Sequence, residues 1–294
     1  MTDWVFTARL PEGKALSAGR ALEAALEESG AASSVFEVDE DRSEWELSAY
    51  ANDGNLGEVI AALRSTLPEI AFHRTELPKT DWVSKSLEGL APVEAGGFLV
   101  HGSHDRAKRR TGLVGIEIDA GQAFGTGHHG TTAGCLEAID ALLKQRTPRR
   151  VLDVGTGSGV LAIALAKCLK RPVVASDIDP VAVRVARANA IANQVGAYVR
   201  PLVATGTEHS AIRSKEPYDL IVANILARPL EKLAPSLVGL CARGGTIILS
   251  GLLERQRARV VAAYVTQGLA LRDTRLREGW ATLTLERRSG PANS

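Results

Sequence analysis

The sequence predicts an α/β protein with two parts: a large doubly wound sheet and, before it, a small α+β unit. Two patterns support this prediction. From Thr131 onward, short apolar runs alternate with segments of helical periodicity, which is typical of parallel strands joined by crossover helices. Before residue 77, the predicted order of elements is β-α-β-β-α-β, the order of the ferredoxin-like split motif.

The small unit, residues 1–76, is predicted from the spacing of its apolar residues. Apolar and polar residues alternate in its strands, apolar residues recur at helical spacing in its helices, and Pro68 ends the second helix. The predicted elements are strand Trp4–Leu10, helix Lys14–Glu28, strands Ser34–Val38 and Glu44–Tyr50, helix Leu56–Leu67 and strand Glu69–Arg74. Because this unit is too small for a cofactor site and carries no catalytic cluster, we expect it to be a recognition domain.

A connector is predicted at residues 77–95, where Pro78 and Pro92 limit a short helix over Lys79–Leu90. The main domain is predicted over residues 96–288, followed by a tail at 289–294. Its first two strands are predicted at Phe98–His101 and Leu113–Asp119. The basic residues at 105–110 between them are interpreted as a solvated turn.

The rest of the main domain alternates strands with helices. The predicted helices are Thr131–Leu143, Ser158–Leu169, Pro180–Asn193, Pro229–Leu240 and Glu254–Gln267. The predicted strands are Val151–Val154, Val173–Asp177, Tyr198–Ala204, Tyr218–Asn224, Thr246–Ser250, Leu269–Leu276 and Trp280–Arg287. The last two strands form a hairpin, which adds an antiparallel edge to the parallel strands.

Composition and charge describe an ordinary globular protein. The formal net charge is +1, so no global field favours nucleic acid or a membrane, and no apolar run reaches membrane-spanning length. The three cysteines lie in apolar helical segments, where buried thiols are expected. The adjacent histidines 128 and 129 lack further ligands, so no metal site is predicted. Without a secretion signal, we expect a cytoplasmic protein and, from its balanced charge, a monomer.

The most informative segment is Val151–Gly159, in which a buried strand leads into glycines at 155, 157 and 159. Glycine is favoured where φ is positive or where a ligand contacts the main chain. The following strand ends on Asp177, a carboxylate placed to accept hydrogen bonds from ribose hydroxyls. We therefore predict a nucleoside-containing cofactor. The spacing G-x-G-x-G and the lack of lysine or arginine between residues 151 and 166 argue against a pyrophosphate.

Two further segments carry polar residues. Gly121–Thr132, with the sequence GQAFGTGHHGTT, is predicted to be a loop that closes against a ligand, and its threonine pair at 131 and 132 is also suited to capping the next helix. The strand Tyr218–Asn224 ends on an amide at the carboxyl edge of the sheet. The oxygen of that amide is suited to accept a hydrogen bond from an incoming amine and to orient its lone pair.

The glycine segment, with Asp153 before it, resembles the first motif of Rossmann-like S-adenosylmethionine-dependent methyltransferases. Together with AFGTGHHGTT, ASDIDP, VANILA and Ser250-Gly-Leu-Leu followed by Gln256, it resembles the PrmA family, bacterial methyltransferases of ribosomal protein L11. The resemblance covers roughly residues 92–287. It implies a seven-stranded Rossmann-like domain, S-adenosylmethionine as cofactor, and methylation of the N-terminal α-amine and lysine ε-amines of L11, free or on the ribosome, up to trimethylation.

The resemblance also implies the site residues. Asn224 is the implied catalytic residue, which orients the acceptor amine, and no metal is implied. The implied cofactor contacts are Thr132, Gly155, Gly157, Asp177 and Asn224, with Phe124, Gly125 and Thr126 in the loop over the cofactor. One departure is the segment Val100–His104, where many family members have a Pro-x-Trp element.

Four alternatives make different demands on the sequence. Glutamine methyltransferases carry Asn- or Asp-Pro-Pro-Tyr where this chain has Asn224-Ile-Leu-Ala. An RNA methyltransferase is expected to have a basic N-terminal module, whereas residues 1–76 are rich in Glu and Asp. A nicotinamide oxidoreductase needs the longer glycine spacing. A non-enzymatic ribosome-binding protein is distinguished only by the lack of methyl transfer.

Overall fold

The computed structural model describes residues 3–26, 31–39, 44–77, 92–108, 110–118 and 129–288. The chain divides into two compact units, Met1–Ser86 and Leu87–Ser294. Across the described ranges, every helix is too short or too polar to cross a membrane.

The first unit is an antiparallel sheet covered by two helices. Its elements are β1 Asp3–Pro11, α1 Glu12–Leu26, β2 Ala32–Asp39, β3 Glu44–Asn52, α2 Leu56–Thr66 and β4 His73–Leu77. The strand order β2-β3-β1-β4 is ferredoxin-like, as predicted. Leu22 of α1 and Val59 of α2 pack with Leu47 of β3 in one apolar core.

The last strand of this unit begins later than the sequence pattern indicates. The prediction placed it at Glu69–Arg74, whereas β4 covers His73–Leu77. Residues 68 and 69 form a turn, in which the Ile70 amide donates to the Leu67 carbonyl at 3.1 Å. The apolar residues 70–72 therefore lie between this turn and the strand.

The second unit contains a seven-stranded sheet of order β10-β9-β8-β11-β12-β14-β13. Its strands are β8 Val151–Val154, β9 Val173–Asp177, β10 Val199–Val203, β11 Tyr218–Asn224, β12 Cys241–Leu253, β13 Leu269–Arg277 and β14 Trp280–Arg287. Neighbouring strands from β10 to β12 are parallel, while β14 runs antiparallel to both β12 and β13. This is the predicted doubly wound sheet with a closing hairpin.

Helices cover both faces of this sheet. They are α3 His129–Leu143, α4 Val160–Leu169, α5 Pro180–Ala192, α6 Ser210–Arg213, α7 Ala227–Leu240 and α8 Arg257–Val265. Consecutive residues of β8 enter opposite cores: Val151 packs in the cluster that includes α3 and α4, and Leu152 packs in the cluster that includes α7 and α8. Both faces are buried, which explains why the central strands are apolar without alternation.

A short three-stranded sheet precedes α3. It consists of β5 Val93–Ala95, β6 Phe98–His101 and β7 Val114–Glu117. At the end of the predicted linker 77–95, residues Val93–Ala95 form β5, which pairs with β6 through a two-residue Gly96-Gly97 turn in which Gly96 has φ +59. The predicted basic turn is also wrong in part, since Ser103–Lys108 forms a 3-10 helix. Residues 78–91 lie outside the described ranges.

The cysteines differ in burial. Cys135 and Cys241 are buried, as expected, whereas Cys168 is exposed. The position of Cys168 along α4 explains this difference. The buried residues of this helix end at Ala166, and Cys168 lies in the last turn after them.

Candidate active site

The predicted site residues meet at one edge of the seven-stranded sheet. β8 pairs with β9 on one side and with β11 on the other, and all three strands are parallel. Their carboxyl ends therefore lie side by side, which brings together Asp177 at the end of β9, Gly155 after β8 and Asn224 at the end of β11. Thr132 lies in the first turn of α3.

The glycine turn has a backbone that other residues rarely adopt. Gly155, Gly157 and Gly159 have φ values of +70, +52 and +85. A Cβ on Gly155 would lie 2.2 Å from Ile225 Cγ2, and one on Gly159 would lie 3.2 Å from Ala186 Cα. A Cβ on Gly157 would meet no described atom within 4 Å. Packing thus requires the outer two glycines, while the space beside the middle glycine is free of described atoms.

Asp177 joins the glycine turn to the neighbouring strand. Its Oδ2 accepts a hydrogen bond from the Gly157 amide at 2.8 Å, and its Oδ1 accepts one from the Asp179 amide at 3.0 Å. The residue is half-buried, and each carboxylate oxygen has capacity to accept a further hydrogen bond. Ile178 beside it is 68% exposed, which gives the edge an apolar surface next to the carboxylate. A carboxylate beside an apolar surface suits a nucleoside.

Asp153 holds the turn from inside the protein. It is 1% exposed, and its Oδ2 accepts hydrogen bonds from Thr156 Oγ1 at 2.7 Å and from the Ala162 amide at 3.2 Å. Its Oδ1 has no partner among the residues that the structure describes. Burial raises the pKa of this carboxyl to about 7, against the effect of its two hydrogen bonds, and the charge of Asp177 raises it further.

This raised pKa predicts a pH-dependent stability. The folded pKa of Asp153 lies above the unfolded value of about 3.9, so its contribution to stability is complete below about pH 4 and is lost as the pH rises to about 7. Cys135, its buried neighbour, has a pKa raised to about 12 and stays neutral in this window. From pH 5 to 7, the unfolding free energy of the parent should fall by about 2 kcal/mol relative to Asp153→Asn.

Hydrogen exchange of the β8 amides in both proteins measures this difference, because central strands open only with the whole unit. Parallel pH curves for the two proteins would show that Asp153 is ionised throughout.

Asn224 is fixed from the side of α3. Its Nδ2 donates to Thr131 Oγ1 at 3.3 Å. Thr131 is buried, whereas Asn224 and Thr132 are half-buried. The predicted N-cap role of the threonine pair is wrong, because α3 begins at His129 and both threonines lie inside its first turn. The positions of both hydroxyls are therefore set by the helix, and the Thr131 hydroxyl accepts the hydrogen bond from Asn224 at the end of β11.

The sequence pattern did not predict several contacts that support this edge. Asn189 Nδ2 donates to the Ser158 carbonyl at 2.8 Å and so ties α5 to the glycine turn. Ser250, beside Asn224 in the sheet, lies 2.9 Å from Thr282, oxygen to oxygen. Of the residues in these contacts, only Ser250 was noted in the sequence for its motif, Ser-Gly-Leu-Leu.

Some predicted residues lie outside the described part of the chain, namely Phe124, Gly125, Thr126 and His128. Within the part that is described, no three His, Cys, Asp or Glu side chains form a group that could hold a metal ion.

Known proteins with similar sequences place the chain in a family. A sequence profile of the ribosomal protein L11 methyltransferase (PrmA) family matches residues 13–288. The ribosomal protein L11 methyltransferase of Mesorhizobium japonicum is 53% identical over 270 residues, which cover 90% of this chain and 93% of the relative. That of Brucella suis is 52% identical over 265 residues, with 90% and 93% covered.

Among solved structures, the ribosomal protein L11 methylase of Lactobacillus delbrueckii subsp. bulgaricus matches with a TM-score of 0.60 and 27% identity. The match covers 67% of this chain and 98% of that one. Family profile, relatives and solved structure agree with one another, and the chain therefore belongs to the ribosomal protein L11 methyltransferase (PrmA) family and is a Rossmann-like methyltransferase.

Proposed function

We propose that the protein transfers methyl groups from S-adenosylmethionine to the N-terminal α-amine and lysine ε-amines of ribosomal protein L11, up to trimethylation. The observation that carries this proposal is the meeting of Gly157, Asp177 and Asn224 at one sheet edge, in a chain of this family. We further propose that the protein acts as a cytoplasmic monomer on L11, free or on the ribosome.

In this proposal, each part of the chain has its own task. Residues 1–76 recognise the acceptor protein, residues 77–95 link, residues 96–288 carry out the transfer, and residues 289–294 form a tail. The separate apolar core of the first unit supports its role as an independent module. Because L11 offers several amines at different places, we infer that the linker lets the first unit present them in turn.

The edge residues suit the parts of the proposed cofactor. Asp177 would accept hydrogen bonds from the ribose hydroxyls, and the open side of Gly157 would admit the cofactor against the main chain. We assign further contacts to Gly155, Thr132 and Asn224, and the covering loop to Phe124, Gly125 and Thr126. When bound, S-adenosylmethionine supplies a methyl group on a positively charged sulfur.

Asn224 serves the acceptor side in this mechanism. In the transfers to a primary or secondary amine, its amide oxygen accepts a hydrogen bond from the acceptor N–H and so directs the nitrogen lone pair, whereas the third transfer, to a tertiary amine without an N–H, relies on proximity alone. The amine has to be neutral to react, yet an unperturbed lysine has a pKa of about 10.4. Removal of water from the ammonium at a half-buried edge lowers that pKa, and the released proton passes to water.

The decisive test is mass spectrometry of purified L11 after incubation with the protein and S-adenosylmethionine. We expect mass increases in steps of one methyl group at the N-terminus and at lysines, and none with Asp177→Ala. Transfer to RNA or to a glutamine side chain instead would replace this proposal with one of the alternatives.

Substitution of the middle glycine provides a separate prediction. Gly157→Ala should leave the protein folded but weaken S-adenosylhomocysteine binding at least tenfold, because the new methyl group occupies the space proposed for the cofactor. Gly268→Ala is the matched control: Gly268 has φ +91, its Cβ would also meet no described atom within 4 Å, and it precedes β13 at the opposite edge. Both variants carry a backbone strain of about 1 kcal/mol.

Calorimetric titration with S-adenosylhomocysteine measures both variants against the parent. Equal affinities for Gly157→Ala and Gly268→Ala would contradict the proposed position of the cofactor.

A further inference from the structure

The amide of Asn224 has two ends of nearly the same shape but opposite hydrogen-bonding character. Its oxygen accepts a hydrogen bond, whereas its NH2 group only donates. A primary or secondary acceptor amine presents N–H groups together with the lone pair that must remain free to react. Only the amide oxygen is suited to hold such an amine, so the proposed role of Asn224 requires one of the two orientations to be selected.

The contact with Thr131 holds the NH2 end of this amide. Asn224 Nδ2 lies 3.3 Å from Thr131 Oγ1 and donates to it. Thr131 is only 1% exposed, so the NH2 group is directed into the protein. The opposite end of the amide, Oδ1, accepts no hydrogen bond from any described residue, and it is not among the buried atoms that lack a partner. Among the described residues, the oxygen is therefore the end of the amide that is left without a hydrogen-bond partner at the sheet edge.

The position of the Thr131 hydroxyl is fixed by close packing of α3 against the sheet. Gly134 follows Thr131 by three residues and so lies on the same face of the helix. A Cβ on Gly134 would lie 2.3 Å from Thr282 Oγ1, so only glycine allows the observed approach. Thr282 in turn contacts Ser250, which is the register partner of Asn224. Helix and strand end are thus held at a constant separation.

From these contacts, we infer that Thr131 is a positioning residue that holds the Asn224 amide by its NH2 group and so keeps its oxygen toward the acceptor amine. This inference rests on the proposed function, because it assigns the amine to Asn224. Thr131 acts through Asn224 and is separate from Thr132, to which a cofactor contact is assigned.

Kinetics of methyl transfer test this inference. Thr131→Val keeps the shape of the side chain but removes the hydroxyl, and we expect kcat to fall about 10- to 100-fold while affinity for S-adenosylhomocysteine stays within threefold. Thr131→Ser restores the hydroxyl and should recover kcat to within about threefold. The matched control is Thr246→Val, which removes a buried hydroxyl four residues before Ser250 on β12, about 13 Å away. Parent-like kcat in Thr131→Val would overturn the inference.

A double-mutant cycle separates positioning from a general loss of structure. In an Asn224→Ala background, Thr131→Val should have almost no further effect on kcat, because the group that Thr131 orients is gone. Additive losses would contradict the inference.

Nuclear magnetic resonance of the Asn224 side-chain amide tests the contact without any methyl transfer. We expect one of its two Nδ2 hydrogens to exchange slowly in the parent and in Thr131→Ser, and both to exchange fast in Thr131→Val. Fast exchange in the parent would overturn the inference even if the protein methylates L11. Conversely, slow exchange in a parent that leaves L11 unmodified would mean that the proposed function fails while the contact exists.

Discussion

Replacement of Asp177 by alanine is expected to weaken S-adenosylhomocysteine binding by about a hundredfold or more, while the protein stays folded. The variant loses the oxygens proposed to accept from the ribose hydroxyls, and hydrogen bonds to charged groups contribute about 1.5–3 kcal/mol each. It also loses the hydrogen bond that the Gly157 amide donates to Asp177 Oδ2 at 2.8 Å, so the glycine turn is no longer tied to the end of β9. Calorimetric titration measures the loss directly.

Asp179→Ala is the matched control for this prediction. Asp179 lies in the same turn, but its carboxylate caps α5 by accepting a hydrogen bond from the Val181 amide at 2.7 Å. The variant should therefore lose about 1 kcal/mol of stability and keep its cofactor affinity within about threefold. Similar losses of affinity in both variants would indicate that the turn as a whole, and not the Asp177 carboxylate, determines binding.

Replacement of Asn224 by alanine should reduce kcat for methyl transfer to L11 by about 100- to 1,000-fold, with a loss of S-adenosylhomocysteine affinity of at most tenfold. The larger effect falls on kcat because a small misplacement of the reacting atoms costs about a hundredfold in rate. Single-turnover rates at saturating cofactor give this comparison. An equal loss in both quantities would restrict Asn224 to cofactor binding.

Asn224→Asp provides the companion variant. It keeps an acceptor oxygen, but its negative charge stabilises the protonated acceptor amine and raises its pKa. We therefore expect the activity of this variant to be low at neutral pH and to recover more steeply than that of the parent toward alkaline pH. A pH profile parallel to that of the parent would exclude this electrostatic explanation.

The sequence predicted the large sheet well because its strands are short apolar runs separated by helical segments. Val151–Val154 and Tyr218–Asn224 were predicted with the bounds that the structure gives. The edge residues Gly155 and Asn224 follow from the same pattern, since polar or glycine residues after parallel strands must meet at one edge. Local periodicity and chain topology are sufficient for this part of the site.

Other features depend on contacts between distant segments, which periodicity does not contain. The pairing of β5 with β6 was missed although Gly96-Gly97 is a recognised hairpin signal, because a strand of three residues has almost no pattern. The start of α3 at His129 was missed because its first turn is built from glycine and threonine, which indicate a loop in isolation. The bond from Asn224 to Thr131 joins residues 93 positions apart.

The hydrogen bond between the Gly157 amide and Asp177 has a consequence for inhibition of the enzyme by its own product. The Gly157 amide holds the Asp177 carboxylate in place, and the contact proposed for this carboxylate is with the ribose, a part that the methyl donor and the spent thioether share. Demethylated donor should therefore compete strongly for the free enzyme. Turnover would then follow the ratio of S-adenosylmethionine to S-adenosylhomocysteine, so that methylation of L11 slows whenever the cell clears S-adenosylhomocysteine slowly.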